Sequence, residues 1–407
     1  MNKLFSLLLL LSLSSAVYSQ SNKTIVDVQL GFNDSLEVSL VGSAGIVSSF
    51  LSNSLVKNDF WTTDIIDEQI QSLNEYNRMG GFITAEIKLL GKASNILSKT
   101  KKHQPIFGIG HQSLTAVKLQ KDVLGLGLKG NTAYRNISLE TTNKFENQQF
   151  SYLKIGLAHL NPTRTSKYEI GLNLITSHKM TSGYAKNGTI QTDSISRNIT
   201  MNDVELEYYQ STNKPFSDLG LSLFYSYLTR LNNNKDILKI SLENVGIMSA
   251  RNQINRVLTN DVDFNGFDVS ENIRNTNSLN LEDSVNQNYF ESDSSNSFYI
   301  TPFHISAQYV YFLNENQAID GSLSYLNFAG YYPLLEADYC QTFGLKSRSW
   351  FIGAKLGGFG TYAMNFGVKL PIGNRGLFSF QLAGLESIAS ENLAVNWYSN
   401  VGLILGL

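Results

Sequence analysis

A single cysteine, Cys340, stands in 407 residues. No disulfide framework and no cysteine cluster for a metal can be built from it. A net charge of −2 leaves no basic stripe for a phosphate backbone, so nucleic acid is not an expected partner. Beyond residue 19 no apolar run approaches the ~20 residues that a membrane-crossing helix needs. Tryptophan is scarce at three residues, so the 11% aromatic content rests on tyrosine and phenylalanine. No cysteine follows the apolar stretch Leu4 to Leu13, which excludes a lipoprotein anchor.

What is present begins with Met1-Asn-Lys3, a short basic opening. It is followed by that apolar stretch and a small-residue zone from Ser14 to Ser19. Val17 and Ser19 suit the minus-three and minus-one positions of a cut before Gln20, so residues 1–19 read as an export signal. The segment from Trp397 to Leu407 alternates. Trp397, Val401, Leu403, Leu405 and Leu407 share one parity; Asn396, Tyr398, Asn400, Gly402 and Gly406 share the other. One strand face toward lipid and one toward a lumen produces this pattern in a transmembrane β-barrel.

The same period recurs upstream. Phe303 to Tyr311, Ile319 to Tyr325, Leu335 to Phe343, Trp350 to Leu356, Tyr362 to Val368 and Phe378 to Leu382 alternate at near-regular spacing. With the closing strand they form a seven-strand meander. Earlier stretches around Leu153, Ile170, Val204, Leu221 and Ile240 repeat it less cleanly. A soluble β-sandwich or propeller also alternates. The export signal and the tyrosine and phenylalanine excess favour an all-β antiparallel transmembrane barrel of about 14–16 strands over residues 20–407.

Short turns at Pro371–Gly376, Lys346–Arg348, Asn314–Gln317 and Leu231–Asn234 fall on one side, expected to be periplasmic. The polar segment Met248–Ser297 falls on the other as a long outer loop. Residues 20–80 are expected to form an N-terminal segment or plug, with helical spacing from Thr63 to Asn77, and a few extra strands are an equally compatible alternative. Ile83 to Leu89 reads as a strand. Gln120 to Gly130 is either a strand or an inward-folded loop.

Several ordered motifs carry a family likeness. Gly80-Gly-Phe-Ile-Thr-Ala-Glu-Ile-Lys-Leu-Leu-Gly91 precedes Phe107-Gly-Ile-Gly110, and Glu169-Ile-Gly-Leu-Asn-Leu-Ile-Thr176 comes later. Val262-Asp-Phe-Asn-Gly-Phe-Asp268, Tyr299-Ile-Thr-Pro-Phe303 and Ala329-Gly-Tyr-Tyr332 complete the series. Together they resemble a family of Bacteroidota outer-membrane barrels known only as a domain of unknown function. That family is similar to the fatty-acid-transporter-like barrels and to barrel partners of the type IX secretion system. The resemblance implies an outer-membrane location and fold rather than a substrate. The early Asn-Pro-Ala segment of the transporter-like relatives is missing, which weighs against a hatch-type mechanism.

Asp261, Asp263 and Asn265, with Gly266 next, match the start of a calcium loop. Asn272 stands where its bidentate glutamate belongs, so a plain turn is the alternative. His103, His111, His159, His178 and His304 show no HExxH pairing. No nucleophile elbow accompanies His304, which falls on the lumen parity. Lumen lining is expected from Lys154, Lys167, Asp203, Glu205, Glu207, His304, Glu336, Asp338, Lys355 and Lys369. These charges either pair inside a closed barrel or line a selective pore.

No catalytic residue and no cofactor is expected beyond the calcium candidate. The expected partners are outer-membrane lipid, the barrel-assembly machinery and an envelope or secretion protein bound through residues 248–297. The functional expectation is a transporter-like or envelope-assembly barrel, with a secretion scaffold as the alternative.

Overall fold

The alternating segments form strands, and turns between them fold each strand back on its predecessor. A computed structural model describes residues 35–46, 67, 70–71, 73–91, 103–129, 136–139, 143–161, 163, 165–192, 199–211, 218–232, 236–258, 262–264, 291–314, 316–343, 348–360, 362–372, 376–384 and 395–406. The first half contains β1 (Ser35–Ile46), β2 (Tyr76–Leu90), β3 (His103–Gln120), α1 (Lys121–Lys129), β4 (Asn136–Ser138), β5 (Lys144–Leu160), β6 (Ser166–Thr192) and β7 (Ile199–Gln210). Then come β8 (Leu219–Leu231), β9 (Asp236–Leu258), β10 (Val262–Phe264), β11 (Glu291–Ile300), β12 (His304–Asn314) and β13 (Gln317–Leu326). The chain closes with β14 (Tyr332–Phe343), β15 (Arg348–Gly358), β16 (Tyr362–Ile372), β17 (Gly376–Ala383) and β18 (Val395–Gly406).

Fourteen strands make a closed antiparallel wall. Around the barrel they run β1, β2, β3, β5, β6, β8, β9 and then β12 to β18. β18 returns to β1 in unbroken register from Ser35↔Gly406 to Ile46↔Val395. Closure rules out the soluble sandwich or propeller, each of which leaves open edges. The other four strands prolong the ladders at one end. β6 pairs with β8 up to Thr176 and with β7 from Thr181 onward. β9 pairs with β12 up to Glu243 and with β11 from Ile247.

The wall is apolar outside and polar inside. Ile109, Leu153, Ile155, Leu172 and Leu221 are exposed, whereas Lys154, Asn173, Ser222, Lys355 and Asn365 are buried. A barrel surrounded by water would bury the first set and expose the second. The twelve residues of β14 extend about 37 Å, which at a tilt of about 40° is roughly 28 Å of height. That matches a hydrocarbon core of about 30 Å.

Glycines inside the wall make room for large neighbours. Gly156 and Gly171 face each other across β5 and β6, and the buried Phe224 ring of β8 lies over both. A Cβ on Gly171 would sit 2.2 Å from the Ile155 carbonyl oxygen and 2.6 Å from that ring. Tyr152 covers Gly110 and Phe351 covers Gly367 in the same cross-strand manner.

The seven-strand meander stands where the alternation puts it, as β12 to β18. Other expectations need correction. Lys121–Lys129 is a helix rather than a strand or loop; its Leu-Gly alternation mimics a strand period. Tyr76 and Asn77 open β2 instead of ending a helix, and in the helical stretch expected before them only Asp67, Ile70 and Gln71 are helical among the described residues. In the N-terminal segment 20–80, residues 35–46 and 76–80 are wall strands, the extra-strand alternative rather than a plug. The outer loop is not wholly loop, because Met248–Leu258, β10 and β11 are strands. Residues 1–19 and Leu407 lie outside the described residues.

Candidate functional site

One mouth of the barrel is closed by residues that fold inward from two turns. The β13–β14 connection, 327–331, crosses the barrel. Its Ala329 amide donates to Glu146 Oε2 of β5 (3.0 Å), and Gly330, at positive φ, packs against Arg78 and Val117. From the β15–β16 turn, Phe359 and Gly360 offer their carbonyls to the Arg78 guanidinium, at 3.1 Å to Nε and 2.5 Å to an η nitrogen. The same guanidinium lies 3.6 Å from the Tyr332 ring centroid. Phe328, Tyr331 and Phe359 thereby join Leu114, Phe150 and Met248 in a buried apolar cluster. Tyr331 meets Phe359 edge to face. This lid draws on strands from nearly opposite sides of the wall, so it spans the mouth.

A chamber of about 510 Å³ lies beneath it. Phe82, Leu326, Tyr331 and Leu334 contribute its apolar roof, and Glu86, Lys154, Glu243, Asp320, Glu336 and Lys369 contribute charge. Three charged clusters line the interior. On one side, Lys154 Nζ lies 2.8 Å from Glu86 and 3.3 Å from Glu243. The Tyr152 hydroxyl donates to Glu86 at 2.6 Å. A bulge on β9 sets Glu243 and Asn244 together opposite Phe224, with Asn244 at φ 61°. Both side chains line the chamber as a result. Asn244 Nδ2 donates to Gln112 (3.2 Å), and Asn173 donates to Asn244 (2.8 Å).

Toward the other barrel end, Lys88 bridges Glu37 (2.7 Å) and Glu169 (3.1 Å), and Lys167 adds a 2.7 Å contact to Glu169. Gly108 stands in register between Lys88 and Lys154, which gives both stems space. Across the lumen, Asn365 Nδ2 donates to Glu336 and to Asp338, each at 2.7 Å, and Gln381 donates to Glu336 at 2.6 Å. The Lys355 ammonium approaches Glu336 at 3.2 Å and rests 3.2 Å from the Tyr398 ring centroid.

Of the residues expected in the lumen, Lys154, His304, Glu336, Asp338 and Lys369 line the chamber. Lys167 and Lys355 belong to the ion clusters. Asp203, Glu205 and Glu207 are different: they sit on β7, beyond the wall, and do not line the chamber. Glu207 accepts from the Tyr184 and Tyr209 hydroxyls instead. Hence Glu205 and Glu207 are not the partners of Lys154 or Lys167, a pairing that alternation alone had left open. Glu86, Glu243, Glu169, Glu37 and Lys88 take those places. Each shows the lumen parity in the sequence, but only register brings acid to base.

In the calcium candidate, Val262–Phe264 is a strand paired with Ile199–Met201, extended where a calcium loop must turn. Asp261, Asn265 and the Asp263 side chain lie outside the described residues. No group of three or more His, Cys, Asp or Glu suited to a metal occurs among the described residues.

No protein-family model matches the chain, and no curated protein does. Solved structures align with the chain at low identity. The Ralstonia pickettii toluene transporter TbuX aligns with a TM-score of 0.44 and 6% identity over 93% of this chain and 91% of that one. A Pseudomonas aeruginosa FadL homologue aligns at 0.42 and 9% identity over 92% and 90%. The translocator domain of the autotransporter NalP from Neisseria meningitidis aligns at 0.32 and 8% identity over 95% and 93%.

Proposed function

We propose that this chain is a transporter-like outer-membrane barrel, closed at rest, that takes a small solute through its lumenal chamber. The observation that carries the reading is the stack of an apolar lid over a charged chamber of about 510 Å³, inside a wall whose outer face is apolar. A chamber of this volume suits a ligand of drug size. Its mixed lining favours a solute with polar and apolar parts. Lys88, Lys154, Lys167 and Lys355 each lie against a lumen glutamate, which favours a closed interior over a wide ion path.

Arg78 is the latch, because it joins β2 to the β15–β16 turn through two hydrogen bonds and stacks on Tyr332. Purified wild-type barrel in planar bilayers is expected to show small, rare openings. Arg78→Ala should open at least several times more often while keeping heat-modifiable gel migration. Large, steady wild-type conductance would refute the closed lumen. A second reading, a docking barrel, has one observation in its favour: the β9–β11 ladder continues to Glu291↔Val257, past the point where β12 leaves β9. Crosslinking from Ser294 or Asn296 to one envelope protein would favour it, and solute uptake that survives loss of this ladder would favour transport.

A further inference from the structure

The lumen does not account for a cluster on the barrel's outer face. Ser151 Oγ of β5 lies 2.8 Å from His178 Nε2 of β6 and 3.1 Å from His111 Nδ1 of β3. These are the distances of a nucleophile held by a base. Both imidazoles are exposed, so the group is open to whatever surrounds the barrel. His178 owes its position to a bulge. Gln149 pairs with Lys179 and Phe150 with Ser177, which leaves His178 as the extra residue of β6. Bulges re-aim side chains in this way and concentrate near active sites.

The level of the cluster is as informative as its geometry. On the outward parity of β3, Phe107 and Ile109 are followed by His111, Ser113 and Thr115. On β5, Leu157, Ile155 and Leu153 give way to Ser151, Gln149 and Asn147. On β6, Ile170, Leu172 and Leu174 are followed by Thr176 and His178. Three adjacent strands change from apolar to polar at one height, and the serine sits at the change. An acyl chain lying along Leu153 and Leu174 would present its ester carbonyl there, because membrane lipids carry their esters at the boundary between tails and headgroups.

We propose that Ser151, His178 and His111 form a lipid-facing esterase site that cleaves acyl esters of membrane lipids, using water as the second substrate. The Ser151 hydroxyl donates its proton to His178 Nε2 as Oγ bonds to the ester carbonyl carbon. The carbon–alkoxide bond then breaks, and the proton passes from His178 to the departing alcohol oxygen. Water, deprotonated by the same imidazole, attacks the acyl-serine; the fatty acid leaves and Ser151 regains its proton. His111, from the strand flanking β5 on its other side, holds the serine oxygen. The activity is separate from the lumen, so it stands whether or not the chamber carries a solute.

The test uses the full barrel, folded in detergent and checked by heat-modifiable migration. A fluorophosphonate probe is added, and acyl release is followed from phosphatidylethanolamine–phosphatidylglycerol vesicles and, separately, from purified lipopolysaccharide. Wild type should be labelled and should release fatty acid from one of the two, which identifies the lipid source. Ser151→Ala should lose label and release, and His178→Gln should lower kcat at least 100-fold with little change in KM. If Ser151→Ala does not fold, the His178→Gln comparison decides. Folded wild type that releases no fatty acid from either lipid and takes no label would overturn the proposal. So would label or release unchanged in the folded variants.

Discussion

Replacing Lys154 by methionine isolates the charge at the centre of the lumen. The two side chains are similar in length, so the stem packed beside Gly108 is kept. Only 4% of the Lys154 side chain is exposed, against 16% for Glu86 and 33% for Glu243. Its ammonium is the cation within 3.3 Å of both acids, and it also lies 4.8 Å from the Phe224 ring centroid. Without it, two carboxylates face each other inside a protein wall. Breaking a buried ion pair from one side costs about 3–5 kcal/mol. Glu243 borders the chamber and is partly screened, so the expected loss is about 2–4 kcal/mol.

The assay is urea unfolding in lipid vesicles, read by tryptophan fluorescence and gel shift. Adding Glu86→Gln to the methionine variant should recover part of the loss, with a coupling energy of at least about 1 kcal/mol. A methionine variant within about 0.5 kcal/mol of wild type, or a coupling of zero, would show that the pair contributes no net stability. The account of the closed lumen would then fail.

Gly171→Ala should cost about 1–3 kcal/mol by overpacking, since its Cβ would meet the Ile155 carbonyl oxygen and Phe224. Gly321→Ala, with only the Tyr309 carbonyl oxygen at 4.0 Å, should stay within about 0.5 kcal/mol in the same unfolding assay. Outside the wall, burial and the hydrogen bond to Glu207 raise the Tyr184 and Tyr209 hydroxyls above the usual tyrosine range. A raised folded-state value gives a contribution that is intact below about pH 10 and is lost as pH climbs above it. Glu207→Gln should shift the ultraviolet titration of these tyrosines downward; an unchanged curve would remove Glu207 as a cause.

The meander from β12 to β18 was readable because its outward residues are large and its inward ones small or polar. β3 was harder to read. Its inward Gly108 and Gly110 carry neither polarity nor bulk, because they yield space to Lys154 and Tyr152 on the next strand. β7 has a clean period, yet period reports a face and not membership in the wall. That is why Asp203, Glu205 and Glu207 were expected in the lumen. Acid–base pairing was hidden for a related reason. Lys154 meets Glu86 and Glu243 across strands far apart in sequence, and the stagger of a closed sheet fixes that meeting. The Ser151–His178 contact depends on a single bulged residue, which leaves no mark on composition or spacing.

The seam between β1 and β18 sets the order in which the molecule can come together. Ser35 finds its partner at Gly406 and Ile46 at Val395, so the first strand of the wall waits for the strand farthest downstream. β2 can cover one side of β1 early, through Ser35↔Leu90 to Ile46↔Met79. The opposite side keeps a row of unsatisfied amides and carbonyls until the circle shuts. Contacts this distant in sequence form slowly, and an open strand edge is a template for pairing with another chain. Closure should therefore be the late, rate-limiting event. A substitution that weakens Gly42↔Ser399 or Ser39↔Gly402 should lengthen the lifetime of the open-edged intermediate more than it weakens the finished barrel.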